Sequence, residues 1–352
     1  MKQSGKLMLA DGTTFTGSWQ GTAPVKGEVV FFTGMTGYQE VLTDPSYQGQ
    51  ILVFTYPLIG QYGIQAEASE SNQIQVAGVI VQTLAEDGEG TSLASWLGEA
   101  NVPILSGVDT RSLVHLLRTE GDQFGDMMQV DMTVTASIDT AYIASVSTTS
   151  NIEYVPEVEQ GHIVCIDYGV KQSMIDALLE RHMRVTVVPY NTTPERIQAL
   201  APDGLLFSNG PGDPTQLDPF LSGIRELATN YPTLGICMGH QVLAHAFGCT
   251  LLKQHHGHRG ANHPVRHLAS GQVFMTSQNH GYAVDVKSIE ASEMELAYEH
   301  INDGSVEGLI HPVLPIMTVQ FHPEASPGPT EAMVVFDQFV NSVLHQEVAY
   351  VG

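Results

Sequence analysis

Basic residues are scarce in this chain. Lys and Arg together number 14 against 38 Asp and Glu, a formal net charge of −24 over 352 residues with His neutral. The deficit is spread along the chain, with 5 basic and 19 acidic residues in 1–160 and 9 and 19 in 161–352. No basic patch survives that imbalance, so neither nucleic acid nor an anionic membrane surface is expected as a partner. Cysteine is also rare, with only Cys165, Cys237 and Cys249. Three cysteines make no disulfide framework, and the expectation is a reduced, cytoplasmic protein. Long apolar runs are missing too. Leu7 to Ala10 is too short for a signal-peptide core, and no stretch approaches the ~18 apolar residues of a membrane-spanning helix. No Gly-x-x-x-x-Gly-Lys-Ser/Thr and no Gly-x-Gly-x-x-Gly occurs, so no nucleotide loop is expected.

What remains is 43% hydrophobic residues, enough for sizeable cores in about two domains. The first part is rich in Gly, Thr and short β-type runs such as Glu28 to Phe32, Gln50 to Phe54 and Gln75 to Val81. Two helical stretches interrupt them, Ser92 to Glu99 and Thr110 to Thr119, the second placing Leu113, Leu116 and Leu117 on one face behind a cap at Asp109. Residues 1–147 thus read as a strand-rich mixed domain, and the polar, acidic interval 148–160 as a linker. From 161 the pattern changes. Continuous apolar runs (His162 to Ile166, Val185 to Val188, Gly204 to Phe207, Thr233 to Ile236) alternate with helical stretches (Lys171 to Arg181, Leu217 to Asn230, Gln241 to Phe247). That alternation predicts an α/β domain over 161–352 with a doubly wound parallel sheet, whose site lies beyond the carboxyl ends of strands.

The sharpest chemical signal is Gly235-Ile236-Cys237-Met238-Gly239-His240-Gln241, at a strand-to-helix junction. Glycines two residues before and after a nucleophile permit the sharp turn of a nucleophile elbow. The helix N-terminus then favours thiolate and offers free N–H groups to an oxyanion. A thiolate nucleophile needs a base oriented by a third group. Gln320-Phe321-His322-Pro323-Glu324 follows an apolar run, and at strand period His322 and Glu324 project to the same side. On its own His–Pro–Glu reads as a surface turn; beside the elbow it reads as base and orienter, with His280 as the alternative base. Ser208-Asn209-Gly210-Pro211-Gly212-Asp213-Pro214 follows a strand, and its glycines can aim backbone N–H groups at one anionic atom, either an oxyanion or a substrate carboxylate. The His-rich run Gln254 to His263 has neither cysteine nor carboxylate and no companion cluster, so no metal site is expected from it.

The two catalytic motifs resemble those of class I (triad) glutamine amidotransferases. Thr33-Gly34-Met35-Thr36-Gly37-Tyr38-Gln39-Glu40-Val41-Leu42-Thr43-Asp44-Pro45-Ser46-Tyr47 and Thr55 to Gly60 narrow the resemblance to the small, glutamine-hydrolysing subunits of carbamoyl-phosphate synthases. Asp109-Thr110-Arg111, Asp167-Tyr168-Gly169-Val170-Lys171, Asn279-His280-Gly281-Tyr282 and Phe321 to Pro329 agree with that resemblance, which spans nearly the whole chain. The resemblance implies that Cys237 attacks the side-chain amide of L-glutamine, His322 acts as base and then acid, and Glu324 orients it. A glutamyl thioester forms and is hydrolysed. The ammonia passes to a large subunit, which uses ATP, Mg and bicarbonate to make carbamoyl phosphate for arginine or pyrimidine biosynthesis; this chain carries no cofactor or metal of its own. The implied glutamine-binding residues are Ser46, Gly210, Gly212, Met238, Gln241, Asn279, Gly281 and Tyr282, and Ser46 brings the N-terminal domain into the site. Two departures from the family pattern stand out: 122–128 lacks an expected Asn-Gly, and Tyr282 replaces a common phenylalanine. An amidotransferase serving a different synthase is disfavoured by the Met35 to Tyr47 segment. A non-catalytic binding subunit is disfavoured by the presence of Cys237 and His322. An α/β-hydrolase places its acid before its His, the reverse of the order here.

Overall fold

A computed structural model of the chain describes residues 3–85, 91–134 and 141–345. These fall into two compact units. One takes in the described residues up to Tyr142 together with His255–Gly260; the other runs over Ile143–Gln254 and onward from Ala261.

The first unit contains strands β1 (Gln3–Leu9), β2 (Thr14–Gln20), β3 (Val25–Phe32), β4 (Ile51–Phe54), β5 (Leu58–Ile59), β6 (Gly78–Val81), β7 (Thr83–Leu84), β8 (Ile104–Ser106) and β9 (Gln123–Gln129), with helices α1 (Tyr38–Thr43), α2 (Leu93–Glu99) and α3 (Thr110–Glu120). Seven strands close into a barrel in the order β1-β2-β8-β6-β4-β3-β9, while β5 and β7 pair separately. The apolar run in β3 is buried on both faces. Val29 and Phe31 enter the cluster with Leu7, Trp19, Ile51 and Leu105, while Val30 and Phe32 meet α1 and α2 through Tyr38, Val41, Leu93 and Leu97. α3 begins where the cap was expected, with Asp109 Oδ1 accepting the Ser112 N–H at 3.0 Å, and it buries Leu113 and Leu117.

The second unit contains α4 (Tyr142–Val146, entered from the first unit), α5 (Gln172–Leu179), α6 (Pro194–Gln198), α7 (Leu221–Asn230), α8 (Met238–Ala246) and α9 (Val334–Val343). Its strands are β10 (Ile152–Tyr154), β11 (Gly161–Asp167), β12 (Met183–Pro189), β13 (Gly204–Phe207), β14 (Thr233–Ile236), β15 (Leu251–His267), β16 (Val273–Val284), β17 (Glu295–His300), β18 (Val306–Ile310) and β19 (Ile316–Val319). They form one sheet in the order β10-β12-β11-β13-β14-β19-β18-β17-β15-β16. Strands β12, β11, β13, β14 and β19 run parallel, while β10 pairs antiparallel with β12, β18 with β19 and β17, and β17 with β15. The parallel core is covered on both faces. Ile163 and Cys165 of β11 pack with Met174, Leu178, Phe336 and Phe339 of α5 and α9, and Val164 and Ile166 pack with Ile224, Leu227, Val242 and Leu243 of α7 and α8. Double burial is why those strands read as continuous apolar runs. The interval 148–160 lies in this unit and supplies β10, which pairs antiparallel with β12. Among the described residues no helix is long and apolar enough to cross a membrane.

Candidate active site

The chain passes from β14 into α8 through Cys237, whose φ of 54° and ψ of −101° are rare for a residue with a side chain. The flanking glycines are required by contact. A Cβ on Gly239 would stand 2.0 Å from Phe207 O, and one on Gly235 would stand 2.8 Å from Gly239 O. The strained turn is held by backbone hydrogen bonds: Cys237 N–H donates to Val319 O at 2.9 Å and Gly239 N–H to Ser208 O at 3.0 Å. The thiol is buried and reaches Asn279 O at 3.6 Å.

His322 and Glu324 follow β19. That strand ends at Val319, so the pair is brought together in a turn and not by strand alternation. His322 N–H donates to Ser277 O at 2.9 Å, and its Nδ1 lies 2.7 Å from Glu324 Oε1. Nε2 makes no hydrogen bond of ordinary geometry, yet the Cys237 thiol is close enough to favour the protonated ring. Burial alone would lower the His322 pKa. The Glu324 carboxylate, with the hydrogen bonds of Cys237 and Glu324, outweighs burial and raises it. Burial would raise that of Glu324; the charges of Lys171 and His322 outweigh burial and hold the carboxyl below its usual range.

Lys171, at the start of α5, is the participant that sequence reasoning missed. It appeared there only inside a motif, without a role. Its ammonium donates to Glu324 Oε1 at 2.9 Å and to Ala325 O at 2.7 Å, with side chains 2% and 0% exposed for the ion pair. Ala325 and Ser326 both have positive φ, 59° and 45°, a strained turn that presents the Ala325 carbonyl to that lysine. The arrangement is a buried chain: thiol, imidazole, carboxylate, ammonium.

The expected glutamine-binding residues lie in the second unit, except Ser46. Gly210 lies so close to Tyr168 that a Cβ would stand 2.3 Å from Tyr168 O, and Gly212 has a φ of 89°. Met238 is buried at the first position of α8. Gln241 Nε2 donates to Tyr282 O at 2.9 Å and to Gln320 Oε1 at 3.0 Å. Asn279 presents its backbone oxygen to the thiol, and its buried Nδ2 has no hydrogen-bond partner among the described residues. Gly281 and Tyr282 are half-buried beside it on β16. Ser46 lies in the first unit, in the turn after α1, where Asp44 Oδ1 accepts its N–H at 2.9 Å. The alternative base, His280, has both ring nitrogens on other oxygens, Tyr282 O at 2.8 Å and Gln278 Oε1 at 2.7 Å. His240 faces Thr318 Oγ1 at 2.8 Å, and burial lowers its pKa to about 3, leaving it neutral.

Two family models match this chain: glutamine amidotransferase class-I over residues 164–342, and carbamoyl-phosphate synthase small chain, CPSase domain, over 7–127. The arginine-specific small chain of carbamoyl phosphate synthase from Halalkalibacterium halodurans is 49% identical over 96% of this chain and 96% of its own. Those of Bacillus subtilis and Geobacillus stearothermophilus are each 46% identical, over 98% of this chain and 99% of theirs. The chain belongs to the carbamoyl-phosphate synthase small chain family. As a member it is the amidotransferase component of that synthase, with the class I domain on the doubly wound sheet and the small-chain domain on the barrel.

Proposed function

We propose that this small chain hydrolyses L-glutamine through Cys237, His322 and Glu324. The observation that carries the reading is the elbow cysteine beside a buried imidazole whose far nitrogen is 2.7 Å from Glu324. The raised proton affinity of His322 suits the ring to take and hold the proton that the Cys237 thiol gives up at the N-terminus of α8. The thiolate adds to the carboxamide carbon of glutamine, and the oxygen takes the electron pair. Gly239 N–H is already spent on Ser208 O. The oxyanion donors are therefore the Met238 N–H and the Gly210 loop. His322 gives its proton to the departing nitrogen, ammonia leaves, and a glutamyl thioester remains. His322, now neutral, takes a proton from water as it attacks the thioester, and collapse returns the thiolate and glutamate. Asn279 Nδ2 is a buried donor for the zwitterionic substrate, with Gln241, Gly281 and Tyr282 shaping the same wall.

The ammonia is proposed to pass to a large subunit that consumes ATP, Mg and bicarbonate, and no cofactor is assigned to this chain. The arginine-specific names of the three relatives favour arginine biosynthesis over pyrimidine biosynthesis. The three cysteines are free and buried, in keeping with a cytoplasmic setting. The deciding experiment is Cys237→Ser assayed with a carbamoyl-phosphate synthase large subunit. Synthesis from glutamine should vanish while synthesis from added ammonia persists. Loss of both together would make Cys237 structural and sink the assignment.

A further inference from the structure

Ser208 directly follows β13 and is fully buried. Its polar groups reach three segments around the site. The N–H donates to Ile166 O of β11 at 3.2 Å, and the carbonyl accepts the Gly239 N–H of the elbow at 3.0 Å. The hydroxyl oxygen lies 2.9 Å from Tyr168 N and 2.9 Å from Asn209 O. The directions of these two bonds are fixed by their partners. A peptide N–H can only donate and a carbonyl can only accept, so the single hydroxyl proton goes to Asn209 O.

The Asn209 carbonyl is one half of a peptide whose other half is the Gly210 N–H. That peptide is trans, so the two groups share a plane and point in opposite directions. Fixing the carbonyl therefore aims the N–H. The Gly210 N–H belongs to the loop that the mechanism above turns toward the oxyanion, and among the described residues it donates to no backbone carbonyl. The peptide is also walled on one side. A Cβ on Gly210 would stand 2.3 Å from Tyr168 O and 2.9 Å from Tyr168 C, so the loop has no room to swing toward β11. Tyr168 is held by the same Ser208 hydroxyl, and Asp167 Oδ1 secures the rest of that turn by accepting the Gly169 and Val170 N–H groups at 2.9 Å each. One buried hydroxyl thus holds both the peptide and the wall it rests against.

We propose that Ser208 is a positioning residue whose hydroxyl clamps the Asn209–Gly210 peptide, so that the Gly210 N–H points at the oxyanion formed on glutamine. The proposal rests on the glutaminase reading. Its consequence falls on one state of the reaction. The donor matters little to a neutral carboxamide and most to the oxygen that has taken up the electron pair. Misaiming it should lower kcat and kcat/KM together and leave KM nearly unchanged.

The test uses the full-length chain assembled with a carbamoyl-phosphate synthase large subunit. Ser208→Ala removes the hydroxyl without adding volume. Losing a whole oxyanion donor costs roughly 10²–10³ in kcat, so a loosened one should cost about tenfold or more, with KM within about threefold. The second readout is a glutamine analogue with an aldehyde in place of the carboxamide. The Cys237 sulfur bonds to its carbonyl carbon, the oxygen takes the electron pair and then the thiol's proton, and nothing leaves. Its affinity reports the oxyanion pocket at equilibrium and should fall about tenfold in Ser208→Ala, in step with kcat. The pH dependence of kcat/KM should stay as in wild type. A shifted profile with unchanged aldehyde affinity would mean that the hydroxyl acts through the Tyr168–Lys171 turn on His322, and would overturn the proposal. Normal kinetics with only a lowered melting temperature, the mark of a structural role, would overturn it too. Should Ser208→Ala fail to fold, Ser208→Cys decides: its thiol is a weaker donor and should give a smaller kcat loss, again with KM unchanged. Wild type that neither hydrolyses glutamine nor binds the aldehyde would instead sink the glutaminase reading, and the proposal with it.

Discussion

The Lys171 ammonium sits 2.9 Å from Glu324 Oε1 in a site closed to solvent, so the carboxylate that orients His322 is itself held by a buried cation. Removing one partner of such a pair strands the other charge, at about 3–5 kcal/mol. Without the lysine, Glu324 is expected to take up a proton and to lose its grip on His322 Nδ1. Lys171→Met should therefore lower kcat for glutamine hydrolysis by roughly tenfold or more, since an ill-positioned acid–base group forfeits its contribution, while KM changes little. Lys171→Arg should not restore it, because a planar guanidinium cannot replace a point charge in a cavity shaped for an ammonium. Steady-state kinetics on both variants, beside melting curves, checks this; a KM-only effect would remove Lys171 from the positioning chain.

The opposed pKa shifts of His322 and Glu324 give a pH signature. The folded ring binds its proton more tightly than the unfolded one. That contribution to stability is complete below the ordinary imidazole pKa and is lost as pH rises through the raised value. The folded carboxyl binds its proton less tightly, so its contribution is present above the ordinary carboxylate pKa and lost as pH falls through the lowered value. The melting-temperature difference between wild type and His322→Asn should hold level below the ordinary imidazole pKa and then shrink steadily as pH rises toward about 10. A difference that stays flat or grows as pH rises above about 6.5 would show that the ring is not held protonated. The same variant should slow thioester formation on the order of 10²-fold.

How much of this was legible in sequence depended on whether the signal was local. The elbow was legible because the Gly-x-Cys-x-Gly spacing is itself local, although only Gly235 answers to a neighbour in α8 and Gly239 answers to Phe207 at the end of β13. His322 and Glu324 were legible as a pair, although the geometry joining them is a turn beyond β19. Lys171 was not, because its burial is created by the Glu324 turn 153 residues away, and no periodicity marks it. The barrel was legible as strands but not as a closed sheet, since closure depends on β1 meeting β9 across most of the unit. The polar composition of 148–160 concealed β10, whose three residues pair with a strand already rich in apolar side chains.

Gly239→Ala isolates the elbow. Its Cβ would fall 2.0 Å from Phe207 O and 2.6 Å from Phe207 C, both backbone atoms that a rotamer change cannot move aside. α8 must then shift from the end of β13, carrying Cys237 with it. The expected outcome is a glutaminase loss of at least about tenfold with a lowered melting temperature, beyond the ~1–3 kcal/mol of ordinary overpacking. Activity and melting near wild type would mean that the close approach of helix and strand is not what positions the thiol.

The His-rich run has a use that its composition hid. His255–Gly260 folds into the first unit, where Arg259 Nη1 meets Asp122 Oδ2 at 2.6 Å with side chains 2% and 3% exposed. The same carboxylate oxygen accepts the Gly257 N–H at 3.2 Å, and Asp122 N–H donates to His255 O at 3.0 Å. Asp122 opens the stretch that departs from the family pattern. Arg259→Met should destabilise the chain by about 3–5 kcal/mol, because the carboxylate is left buried and unpaired. That is a large share of a typical ~5–15 kcal/mol total. Adding Asp122→Leu removes the stranded charge, so the double variant should be more stable than Arg259→Met alone. Urea midpoints for the two singles and the double form the cycle. If the second substitution only deepens the loss, the cost lies in the hydrogen bonds that Asp122 makes to the arm and not in an unpaired charge.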